Sequence, residues 1–92
     1  MSDYAQGSVS ITTSGGLVCL VAPENDGVLV ANTGTVTVYL GGSTVTASGA
    51  SQGIPLAAGA SVLVPALGGT AHSLFAVTAS GTSTVNYLYP AA

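Results

Sequence analysis

The chain is predicted to be all-β: a single small antiparallel β-sandwich or barrel of seven to eight short strands. Three observations carry that expectation. Short segments rich in Val, Thr, Leu and Tyr recur about every ten residues, each bounded by Gly, Pro, Asn or Ser, which is all-β spacing. Several of them alternate apolar and polar residues with period two. No window places apolar residues at i, i+3, i+4 and i+7 with helix formers between them. The Ala-rich residues 57–60 are few, follow Pro55 and are interrupted by Gly59.

In chain order, residues 1–7 are polar and mixed and read as an N-terminal arm, leaving 8–92 as the β-domain. Residues 8–12 alternate as a strand, and Ser14-Gly15-Gly16 turns the chain. Residues 17–22 are apolar on both faces. They form either a central strand or one whose second face meets another subunit. Pro23-Glu24-Asn25-Asp26-Gly27 is a turn, with Asp26-Gly27 suited to positive φ. Residues 27–32 and 35–40 flank Asn32-Thr33-Gly34 and read as a hairpin, with Val36, Val38 and Leu40 on one face and Thr35, Thr37 and Tyr39 on the other.

Gly41-Gly42-Ser43 breaks that strand, Thr44-Val45-Thr46 resumes it, and residues 47–53 loop. Ile54-Pro55-Leu56 leads through Ala58-Gly59 into residues 61–65, where Val62 and Val64 share a face. After a loop over 67–70, residues 73–79 and 83–88 form a last hairpin around Ser80-Gly81-Thr82.

Ninety-two residues make one domain. The composition is 48% hydrophobic, mostly Ala and Val, with five aromatic residues and no Trp. Small side chains gain little per residue at about 25 cal/mol per Å², so contacts within a homo-oligomer are the natural supplement. Cys19 is alone, which excludes an intrachain disulfide, and its setting among Leu17, Val18, Leu20 and Val21 reads as a small buried hydrophobe.

Charge excludes more than it suggests. There is no Lys or Arg; Asp3, Glu24 and Asp26 are the acids, and His72 is the only His. An average domain is about a quarter charged, this one 3%. Nucleic-acid partners need a cationic footprint, and acidic membrane surfaces need cations to hold to, so neither partner is expected. The longest apolar run, residues 17–23, is far below the roughly 18 residues of a membrane helix. No charged n-region precedes an apolar stretch, so synthesis is expected in the cytoplasm.

No enzymatic chemistry is expected. His72 is the only available base, and its neighbour Ser73 should point to the opposite face if both lie in a strand. One His and one Cys far apart cannot make a zinc site within the chain, and Glu24, Asn25 and Asp26 are too few for Ca²⁺. Three copies of His72 or Asp26 around a trimer axis are the one route to a metal. Catalytic, cofactor and metal residues are therefore none. The Gly-rich stretches at Gly41-Gly42 and Gly68-Gly69 lack the helix and Lys of a phosphate cradle.

Thr-x-Thr at 35–37, 44–46 and 82–84 has the look of an ice-binding face, but the spacings are unequal. The candidate interface residues are Leu17, Val18, Leu20 and Val21 from the two-sided segment, and the tyrosines Tyr39, Tyr87 and Tyr89.

The ordered pieces Asn32-Thr33-Gly34, Val38-Tyr39-Leu40-Gly41-Gly42, Val45-Thr46, Gly53-Ile54-Pro55-Leu56 and Leu74 through Thr82 carry a resemblance that spans residues 28–88. Together the pieces resemble small β-domain structural proteins of tailed bacteriophages, encoded near the head genes or appended to virion proteins. The resemblance implies a capsid decoration, minor head or tail-surface component, and it brings no catalytic residue.

The resulting expectation is a capsid decoration (cement) protein on the capsid surface of the virion. Its partners would be the major capsid protein and its own copies, with a trimer as the candidate oligomer. The arm of residues 1–7 would lie along a neighbour. The alternative is a tail- or fibre-associated host-binding module touching glycans through exposed Tyr and the loops at 43–53 and 67–72.

Overall fold

The computed structural model describes residues 3–21, 27–65 and 72–91. They form eight strands, β1 (Asp3–Ile11), β2 (Gly16–Val21), β3 (Val28–Asn32), β4 (Val38–Gly41), β5 (Ile54–Leu56), β6 (Ser61–Val64), β7 (His72–Thr78) and β8 (Ser83–Ala91). All named strand pairs are antiparallel, and no helix occurs among the described residues. The all-β sandwich expected from the sequence is what forms. A front sheet has the order β1-β8-β3-β6 and a back sheet the order β2-β7-β4-β5.

The core lies between them. Ile11, Val28, Val30, Val38, Ala76 and Val85 are fully buried, with Leu40, Leu56 and Leu74 beside them. Alternation along each strand puts these residues on one face, as the period-two reading requires. Val38 and Leu40 are buried and Tyr39 half-buried; Val62 and Val64 pack partly against the core.

Connectivity departs from the expectation. Only β4–β5 joins sequential neighbours within one sheet; every other connection crosses from one sheet to the other. The expected hairpins at residues 27–40 and 73–88 are therefore corners between sheets, since β3 and β4, like β7 and β8, belong to different sheets.

Asn32 supplies the physical reason at the first corner. Its side chain is buried and fully satisfied: Nδ2 donates to Val36 O (2.8 Å) and Leu56 O (2.9 Å). Oδ1 accepts from Gly34 N (3.1 Å) and from Ser83 Oγ (2.7 Å). Those four bonds use the amide's full donor and acceptor set. Its backbone N–H donates to Ala60 O (2.9 Å), and its carbonyl accepts from Gly59 N (2.8 Å). One residue thus turns the chain out of the front sheet while tying it to β5 in the back. Gly34 is required there, because a Cβ would collide with Ser83 Oγ and come within 2.7 Å of Thr84 N. At the second corner, Thr78 Oγ1 donates to Gly81 O (2.7 Å), with Gly81 at φ +71°.

The N-terminal boundary also moves. Asp3 to Gly7, expected as an arm, belong to β1 and pair with Tyr87 to Ala91. Hydropathy hides the first half of this strand because its inward positions there are Ala5 and Gly7, whereas Val9 and Ile11 carry the apolar signal further along. The volume is supplied from β8: Tyr87 faces Gly7 in the register, and a Cβ on Gly7 would collide with the Tyr87 ring hydroxyl. Thr44-Val45-Thr46 does not resume β4 either. Val45 folds back against Gly41, and Thr46 makes an isolated bridge with Gln52.

Candidate contact surface

The two-sided apolarity of residues 17–21 has a specific cause. β2 is an edge strand, so the central-strand option is excluded. Its register with β7 shifts between Leu17 and Cys19, a β-bulge. A bulge lets two consecutive residues share a face. Val18 and Cys19 are both buried, while Leu17 and Leu20 emerge exposed on the outer face, opposite Phe75 and Ser73. Val21 pairs with His72, and its side chain lies outside the described set.

The three tyrosines do not gather with these leucines at one site. Tyr39 is half-buried on the outer face of the back sheet, paired with Val77 on one side and Pro55 on the other. Tyr87 and Tyr89 face inward and stack on one another, with ring centroids 6.1 Å apart and planes 13° off parallel. Of the seven expected interface residues, Leu17, Leu20 and Tyr39 share the outer back face. Val18 is core, and Tyr87 and Tyr89 support it.

A second apolar surface is absent from the sequence reading. Leu29 on β3 stands opposite Leu88 of β8 on one side and Leu63 of β6 on the other, and Gln6 of β1 completes the row. All three leucines point away from the core and are exposed by 41%, 38% and 63% respectively. Singly exposed leucines are ordinary; three in register across adjacent strands form a contiguous stripe, the kind of patch that marks a contact site. A shallow groove of about 500 Å³ adjoins it, lined by residues including Gln6, Ser8, Leu29, Ala31, Asn86 and Leu88. The available signal was the run Val28-Leu29-Val30, whose middle residue must face away from its neighbours.

His72 opens β7 and is exposed, and Ser73 beside it is exposed too. Cys19 is buried, and desolvation pushes its thiol above the ordinary range, so the thiolate is disfavoured. Among the described residues no three of His, Cys, Asp and Glu come together. The Glu24-Asn25-Asp26 turn and the loop at 67–70 lie outside the described residues. No flat threonine array forms: Thr35 and Thr37 precede β4, Thr44 and Thr46 lie in the loop after it, and Thr82 to Thr84 enter β8.

No protein-family model matches the chain, and no curated protein is significantly similar to it in sequence. What the geometry offers chemically is apolar area on both outer faces of a rigid sandwich.

Proposed function

We propose that this protein is a virion structural protein of a tailed bacteriophage, a capsid decoration protein that seats on the major capsid protein and stabilises the shell. The observation that carries the reading is the pairing of outward apolar surface with a chain free of Lys and Arg. Such a surface can dock by burying area and by backbone pairing, with little long-range attraction to screen. The order of sequence pieces from residue 28 to residue 88 supports the phage assignment. On this reading the protein performs no catalysis, works as a homo-oligomer and acts at the capsid surface after synthesis in the host cytoplasm.

Electron microscopy of the particle containing this chain tests the proposal. Copies distributed over the head are the expected result. Copies confined to the tail would replace it with the host-binding alternative.

A further inference from the structure

The four strand edges of the sandwich are not alike. β2 carries its bulge. β5 has three residues, and its central Pro55 has no N–H to offer a neighbour. β6 is four residues long and is followed by Pro65. Short length, proline, bulges and lysine are the devices by which native sheets blunt an edge. β1 has none of them. It is nine residues long, pairs with β8 from Asp3 to Ile11 without a register shift, and contains no Pro or Lys. Among the described residues no strand is hydrogen-bonded along its other side.

Which backbone groups face that open side follows from β8. Thr33 N donates to Thr84 O, so Thr84 directs its backbone groups toward β3. With period two, Asn86 and Leu88 do the same, and Val85, Tyr87 and Tyr89 turn theirs toward β1. Their register partners Val9, Gly7 and Ala5 therefore bond β8. Gln6, Ser8 and Ser10 direct N–H and C=O groups outward.

We propose that β1 is a self-association edge: two copies pair β1 to β1, antiparallel, about a two-fold axis at Gly7, fusing two four-stranded front sheets into one continuous sheet. With the axis there, Gln6 meets Ser8 of the second copy, and the outward backbone groups of these two residues fall opposite one another in hydrogen-bonded pairs. Gly7 meets Gly7 in a non-hydrogen-bonded pair, where strands approach to about 4.5 Å. The axis thus passes where β1 has no side chain and where the Tyr87 ring already fills the inner face.

The seam side chains Gln6, Ser8 and Ser10 are uncharged, so no like charges oppose each other; Asp3 lies at the far end of the strand. A second copy is the favoured occupant because a two-fold contact closes on itself. Head-to-tail pairing of β1 would instead need one of the three blunted edges. This inference does not depend on the capsid reading.

Sedimentation equilibrium on the full chain tests it. The wild type should run as a dimer, twice its 8.8 kDa mass. Ser8→Pro removes an outward N–H while sparing the bonds to β8, and should weaken the dimer at least about thirtyfold with β-type circular dichroism retained. A charge pair tests register even where proline disrupts folding. Gln6→Lys with Ser8→Lys opposes like charges across the seam and should give monomers. Gln6→Lys with Ser8→Glu opposes unlike charges and should restore the dimer. A monomeric or trimeric wild type, a folded Ser8→Pro or double-lysine variant that stays dimeric, or a Lys/Glu variant that stays monomeric would overturn the proposal.

Discussion

The two faces of β3 invert the usual rule of polar outside and apolar inside. Inward, beside Val28 and Val30, the strand buries the amide of Asn32; outward it exposes Leu29 in a stripe with Leu63 and Leu88. The buried polar group is tolerated because all four of its hydrogen-bonding positions are used. The exposed leucines have no comparable compensation within the chain. Asn32 belongs to the fold, whereas the stripe is apolar surface that the fold leaves exposed. In a protein this poor in charge, residue type alone does not tell the inner face from the outer one; burial does.

Breaking the inner side should have the largest effect. Asn32→Ala removes the bonds to Val36 O, Leu56 O, Gly34 N and Ser83 Oγ together, and buried groups left unpaired cost about 1–3 kcal/mol each. Only the bonds to Leu56 O and Ser83 Oγ are fully buried, so the expected loss is about 3–4 kcal/mol, a large part of the roughly 5–15 kcal/mol a native domain has. Urea unfolding followed by circular dichroism reads it; a loss under about 1 kcal/mol would mean that the amide is not the corner's anchor.

Gly34→Ala attacks the same corner from the backbone. Its Cβ would come within 2.8 Å of Ser83 Cα, and relieving such overpacking costs about 1–3 kcal/mol. Retention of wild-type stability would show that the corner relaxes freely.

On the outer side, Leu63→Ser should cost only about 0.5 kcal/mol in the same unfolding assay, because most of the side chain is already in water. On the proposed decoration role, the same substitution should also weaken attachment to undecorated phage heads measurably. Unchanged attachment together with a large loss of stability would reverse the division between the two faces.

The smallest effect concerns Cys19. Its thiol is pushed up by burial, so the folded chain holds its proton while the unfolded chain releases it above a pKa of about 8.5. That contribution to stability is complete at neutral pH and falls as pH rises through the alkaline range. Cys19→Ala should flatten this part of the pH profile in urea titrations; an identical alkaline slope in both proteins would assign it elsewhere.

The strands were legible in the sequence to the extent that their two faces differ in hydropathy. Val38 and Leu40 fell on the expected face because Thr37 and Tyr39 alternate with them, and Val62 and Val64 did so although Leu63 stands between them. The start of β1 was illegible, since Gly7 takes its apolar volume from Tyr87, eighty residues away in sequence. The corners were illegible for another reason. Asn32-Thr33-Gly34 has the chemistry of a tight turn, and the same residues serve a hairpin or a crossing between sheets. Only the bonds from Asn32 to Leu56 and Ser83 decide between them. At the candidate site, Leu17 and Leu20 were found as apolar residues, but the bulge that sends both outward was not, because it depends on register with β7. Leu29 was masked by apolar neighbours on each side.

On the proposed decoration role, apolar outer surface rather than charge carries attachment. Titrating purified protein onto undecorated phage heads across a salt series tests it most directly. The affinity should change less than about tenfold, or roughly 1.4 kcal/mol, between low and high salt. A larger fall would contradict it, by showing that Asp3, Glu24 or Asp26 dominates attachment through charge.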